Sequence, residues 1–135
     1  MPIQEPYSSD DIKRRKRKNN DLVDMLEYSE LDALCLITRE GLRLAFSAIP
    51  GYAIDPDLLS SLGAVVVQSG DDATNSLGYK NTLEVILCGN NSSIFLIATG
   101  RFFLICASRQ ISKLEKNIQV VRHYAGEIAK KYPQM

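Results

Sequence analysis

The chain has 135 residues, 45% hydrophobic and 24% charged, with a formal net charge of zero. That length fits one domain around one core. The balanced charge excludes a global field steering nucleic acid or an acidic partner, so any electrostatic role must come from local clustering.

Residues 1–20 differ from the rest. Pro2, Pro6, Ser8, Ser9, Asp10 and Asp11 lead into six adjacent cations, Lys13, Arg14, Arg15, Lys16, Arg17 and Lys18. No apolar segment follows this charge, so no signal peptide is expected. No apolar run approaches the ~20 residues a membrane span needs, and a cytoplasmic protein is the expectation. The three cysteines, Cys35, Cys88 and Cys106, are odd in number and far apart inside apolar runs. They read as buried small hydrophobes of a reducing compartment, with no disulfide frame and no metal site.

Leu22, Met25 and Leu26 at helical spacing, with Asn20 as a cap and Asp21 and Asp24 in the first turn, predict a helix whose packed part starts near Asn19. The apolar run Ala33-Leu34-Cys35-Leu36-Ile37-Thr38, the link Arg39-Glu40-Gly41 and the alternating Leu42, Leu44 and Phe46 predict a hairpin. Asp55 as cap and Pro56 at the first helical position open a second helix, expected to run to about Leu77 and stop at Gly78.

Three strands follow. Residues 82–88 alternate, with Leu83, Val85 and Leu87 on one face and Glu84 on the other. Gly89-Asn90-Asn91 turns the chain into residues 93–99, and Gly100-Arg101 turns it again into residues 102–107. The sequons at Asn90 and Asn91 therefore read as a polar hairpin tip. Ile111, Leu114, Ile118, Val121, Ala125, Ile128 and Tyr132, spaced alternately three and four apart, make a third amphipathic helix.

The order is thus α-β-β-α-β-β-β-α, an α/β fold of the α+β kind with a five-stranded, mostly antiparallel sheet. Strands one, four and five are apolar on both faces and belong at a centre covered by helices. Strands two and three alternate, as edges can, which gives the order 2-1-5-4-3. Helices one and three are expected on one face and helix two on the other. Residues 1–20 form a basic arm, a flexible or helical extension, and residues 21–135 the domain.

This order, the run from Ala33 through Arg39-Glu40-Gly41-Leu42-Arg43-Leu44-Ala45, the helix opened by Asp55-Pro56, the exit Leu77-Gly78 into Thr82-Leu83-Glu84-Val85, and the Gly100-Arg101 hairpin resemble the Roadblock family over roughly residues 21–132. Longin and profilin-like domains share much of the element order. The resemblance implies a non-catalytic module that pairs with itself or a related Roadblock chain. Family dimers join through the second helix and third strand into one continuous sheet. Members serve as dynein light chains, as lysosomal scaffold subunits, and as partners or regulators of Ras-like GTPases. The long basic arm departs from the compact family pattern, and its role does not carry over.

The second helix supports a partner surface independently. Leu58, Leu62, Val65, Val66 and Ala73 make a stripe expected to face the core. Leu59, Gly63, Val67, Gly70 and Thr74 carry the apolar or small character onward, to an arc of about 200° against the ~100° that one sheet requires. Two readings stand: a helix tucked under a long loop of its own chain, or a helix–helix contact between chains. Gly63 and Gly70, a heptad apart, would admit a second backbone. The third strand, with Leu83, Val85, Ile86 and Leu87 and only Glu84 charged, is poorly guarded against pairing unless residues 71–80 cover it. The expected dimer or partner interface comprises Leu59, Gly63, Val66, Val67, Gly70, Thr74, Leu83, Glu84, Val85 and Ile86.

The six cations fit a weak contact with an anionic lipid or other anionic surface, with a solvated arm as the plain alternative. No aromatic residue is interleaved for base stacking, so specific nucleic-acid binding is not expected. No phosphate-loop, dinucleotide, zinc-protease or nucleophile-elbow motif is present, and neither enzyme activity nor a cofactor is expected. His123, the sole histidine, lies off the apolar stripe. Asp71 and Asp72 point about 100° apart on a helix and read as solubilising its end. Arg39, Arg43 and Arg101 sit at turns, where one arginine suffices for a GTPase contact. The reading is a homodimeric scaffold that binds, and in one version regulates, a small Ras-like GTPase. The alternative is a structural light chain or membrane-tethering adaptor whose partner is indifferent to nucleotide.

Overall fold

The computed structural model describes residues 21–131. The basic arm and Tyr132 lie outside them. Helix α1 is helical over residues 21–28, followed by β1 (Ala33–Ile37), β2 (Arg43–Ala48), α2 (Pro56–Ser76), β3 (Glu84–Cys88), β4 (Ser93–Thr99) and β5 (Phe102–Ser108). A single 3-10 turn at Ile111–Lys113 then leads into α3 (Leu114–Lys131). The strands form one sheet in the order β2-β1-β5-β4-β3, every neighbouring pair antiparallel.

Local chemistry sets the boundaries. The Asp55 carboxylate accepts the Asp57 N–H at 2.9 Å and satisfies a free donor of α2's first turn, where Pro56 sacrifices no bond. At the far end Gly78, with φ of 74°, donates to Asn75 O at 3.0 Å, and Tyr79 donates to Thr74 O at 2.8 Å. This pair of bonds is a Schellman stop, and a side chain at Gly78 would strain it. Between β4 and β5, Gly100 alone takes a positive φ, which matches the tight two-residue hairpin expected there.

Two cores sandwich the sheet. Leu22 and Met25 of α1 and Ile118, Val121, Ala125 and Ile128 of α3 close over Leu34, Leu36, Phe95, Leu104 and Cys106. Leu59 and Val67 of α2 close over Ala33, Cys35, Ile37, Leu96, Phe103 and Ile105. Helices one and three thus share one face and helix two takes the other. Strands β1 and β5 are buried along their whole length, because each face meets a helix layer.

The expected alternation of Leu42, Leu44 and Phe46 does not hold. Leu36 pairs with Ala45 but Ile37 pairs with Arg43, which leaves Leu44 as an extra residue in β2. The bulge turns Leu44 toward the α1–α3 core while Phe46 packs on the α2 side, and Leu42 stays exposed.

Candidate protein-binding site

Helix α2 carries an apolar stripe that nothing in the described chain covers. Leu58, Leu62 and Val65, spaced four and three apart, are 56%, 41% and 61% exposed. A fully buried side chain of this kind contributes about 1.5–3 kcal/mol over an exposed one, so leaving three in water forgoes several kcal/mol. The stripe borders a groove of about 330 Å3 whose other wall includes Ile94, Ser92 and Arg109, at the end of the sheet where β3 turns into β4.

The two faces of α2 are the reverse of the sequence expectation. Leu59, Gly63 and Val67, expected to face a partner, lie against the chain's own sheet. A Cβ on Gly63 would stand 2.6 Å from Ile37 Cδ1 and 3.2 Å from Ile105 Cδ1, so the close approach served by this glycine is that of β1 and β5. Gly70 does the same for Thr82, whose Oγ1 a Cβ would meet at 2.7 Å. Thr74 is half-buried, and its hydroxyl donates back to Gly70 O at 3.1 Å. Of the expected interface residues on α2, Val66, Gly70 and Thr74 remain partly open, Val66 at the margin of the exposed stripe. Leu58, Leu62 and Val65, expected in the core, take the outward place.

Strand β3 fits its expectation better. It is the sheet edge, joined only to β4 among the described residues. Leu83 is 71% exposed, Ile86 and Leu87 are exposed, and Val85 is partly so. Glu84 is not free: Arg122 of α3 holds it through bonds of 2.8 and 2.7 Å, and this bonding keeps its carboxyl below the usual range although burial opposes. With alternation along the strand, Glu84, Ile86 and Cys88 face the α3 side, and Leu83, Val85 and Leu87 the α2 side.

Asp71 does more than solubilise a helix end. Its Oδ1 accepts the Thr82 N–H at 2.8 Å, and its Oδ2 takes the Arg39 guanidinium, which also stacks 5.0 Å from the Phe103 ring centre. Burial raises the carboxyl, but the Thr82 and Arg39 bonds outweigh it and leave the group lowered. Arg43 pairs with Asp57 at 3.0 Å, and Arg101 stacks over Phe102 at 4.9 Å, so each candidate turn arginine is engaged by its own chain. Asp72 and His123 are exposed.

Cys35 and Cys106 are buried as expected, whereas Cys88 is exposed because the edge strand that carries it has no neighbour on that side among the described residues. Burial, only partly offset by Arg43, pushes the Cys35 thiol up to about 12, and burial raises Cys106 as well. Among the described residues no group of three or more His, Cys, Asp or Glu could hold a metal ion, and no helix is long and apolar enough to cross a membrane. The six arm cations lie outside the described residues.

No family model matches the sequence, and no curated protein matches it. Solved structures do match. MglB with tetrameric arrangement superposes with a TM-score of 0.77 at 19% identity, covering 96% of this chain and 95% of that one. The gliding protein MglB from Thermus thermophilus gives 0.77 at 18%, covering 96% of each chain. A Roadblock/LC7 domain from Streptomyces avermitilis gives 0.72 at 11%, covering 84% of this chain and 95% of that one. At such identities the likeness is one of fold, and the fold is of the Roadblock type.

Proposed function

We propose that this chain is a non-catalytic homodimeric scaffold that binds and regulates a small Ras-like GTPase. The observation that carries the dimer is the outward apolar stripe Leu58, Leu62 and Val65 lying on the same side as the bare edge strand β3. An unpaired strand and an unpaired helix face are both satisfied at once if two copies meet about a twofold axis, β3 against β3 and α2 against α2. The revised interface is Leu58, Leu62, Val65 and Val66 of α2 with Leu83, Val85, Ile86 and Leu87. A self-associating relative of the same fold, MglB in a tetrameric arrangement, is consistent with this.

The GTPase rests on the Roadblock resemblance. The paired α2 helices give a rigid platform, and a GTPase held there has its switch segments biased toward one nucleotide state by differential contacts. No residue of the chain needs to take part in phosphoryl transfer. The test is capture of a purified small Ras-like GTPase on the immobilised protein, loaded with a non-hydrolysable GTP analogue or with GDP. Retention that depends on the nucleotide supports regulation. Equal retention in both states returns the chain to the adaptor reading, and no retention removes the GTPase.

A further inference from the structure

On the sheet face opposite α2, helices α1 and α3 run antiparallel. Lys131 Nζ lies 3.2 Å from Asp21 at one end, and Tyr28 meets Gln119, Val120, His123 and Tyr124 at the other. These five residues line an open groove of about 450 Å3. Tyr28 is 61% exposed, and the His123 and Tyr124 rings meet edge to face at 5.4 Å.

The groove's rim is acidic. Asp21, Asp24 and Tyr28, three and four residues apart, share the side of α1 that faces α3. Asp21 is taken by Lys131, but Asp24 and Glu27 are exposed and pair with no cation among the described residues. Tyr124 senses this field: burial first, then Asp24, Tyr28, Asp21 and Glu27, push its phenol up. Aromatic faces flanked by unneutralised carboxylates suit a cationic side chain, which gains from both.

We propose that this groove is the docking site of the chain's own basic segment, Lys13, Arg14, Arg15, Lys16, Arg17 and Lys18, folded back in cis over Asp24, Glu27, Tyr28 and Tyr124. Charge complementarity and reach select this occupant. The segment ends three residues before Asp21, and Asn19-Asn20 between them is a pair suited to a reversal. Tyr28 lies about 10 Å along α1 from Asp21, while eight extended residues span about 26 Å, so the cations can return along the groove to its aromatic end. Docked there, they are withheld from anionic surfaces. The inference stands apart from the GTPase reading, because it concerns the face opposite α2.

The chain has no tryptophan, so Tyr28→Trp places a single reporter in the groove without removing its ring. In the full chain at low salt the introduced indole should emit at shorter wavelength, and acrylamide should quench it less, than when all six cations are also changed to Gln. The shielding should disappear with Asp24→Asn and Glu27→Gln together. It should also disappear in about 1 M salt, where the screening length falls to about 3 Å. The salt titration needs no further variant and so is independent of any folding defect. Emission that is the same in all these proteins and salts overturns the proposal. So does shielding that survives the six Gln changes. Shielding that increases with protein concentration assigns the segment to a second copy and overturns the cis arrangement.

Discussion

Arg122 grips Glu84 with two donors at once: Nε donates to Oε1 at 2.8 Å and Nη2 to Oε2 at 2.7 Å. The pair ties the middle of α3 to the first residue of β3, the strand at the open edge of the sheet among the described residues. It fixes where the open edge begins, and it clamps that edge from the face opposite α2.

The clamp has a pH signature. Arg122 holds the Glu84 carboxyl below its ordinary value, so the group binds protons more readily in the unfolded chain. Its contribution is therefore fully present above the unfolded value of about 4.3 and fades as pH falls through the depressed folded value. Melting curves of the wild type and Arg122→Met should differ at neutral pH and converge on acidification. A difference that persists well below pH 4 would show that Arg122 acts through packing alone.

The reversed faces of α2 separate association from stability. Leu62→Glu or Val65→Glu should raise the dimer dissociation constant by about tenfold or more, ~1.4 kcal/mol, with little change in melting temperature. Leu59→Ala should cost about 2–5 kcal/mol of fold stability, and Gly63→Leu should destabilise the monomer by overpacking against Ile37 and Ile105. Light scattering and thermal melts on the same samples distinguish the two classes. A wild type that is monomeric at micromolar concentration would remove the platform.

That reversal marks the limit of what the sequence tells. The width of the apolar arc on α2 was legible, because its periodicity is local. Which half meets the sheet was not, because the answer lies in Ile37 and Ile105, two large side chains on strands far along the chain. Gly63 and Gly70 were read as room for a second chain, yet Gly63 makes room for β1 and β5 and Gly70 for Thr82 of the protein's own fold. Caps, hairpins and strand order came through well, since Asp55-Pro56, Gly78 and Gly100 act on their immediate neighbours. The bulge at Leu44 was hidden because it depends on the register with β1. The exposure of Cys88 was within reach, since the strand order already put β3 at an edge, but the cysteine was read from its apolar neighbours alone.

The cysteines give a direct check on that edge. In the native protein near pH 8 an aromatic disulfide reagent should modify Cys88 and leave Cys35 and Cys106 untouched, since only the thiolate reacts and burial keeps those two protonated. In denaturant all three should react. Three fast thiols in the native state would mean that the β1–β5 centre is open.

Asp71 links the fold to the proposed interface. Its carboxylate receives the Thr82 N–H just before β3 and Arg39 from the β1–β2 turn, so one side chain on α2 anchors both. Asp71→Ala leaves the Thr82 N–H without its acceptor, a loss of about 1–3 kcal/mol. Asp71→Asn keeps an oxygen for Thr82 and gives up only the ion pair with a half-exposed Arg39, worth about 0–1 kcal/mol. The order of stability should therefore be Asp, then Asn, then Ala. Because Thr82 leads into β3, the Ala variant should also dimerise more weakly than the Asn variant, whereas Arg39→Met should resemble Asn in both respects. Acid should cut the wild type's advantage over Ala to about that of Asn, because a protonated carboxyl still offers its carbonyl oxygen to Thr82. The charge-dependent part is present above the unfolded value of about 3.9 and is lost as pH falls through the lowered folded one. Equal dimer dissociation constants for Ala and Asn, at equal fractions folded, would show that the start of β3 takes no part in association.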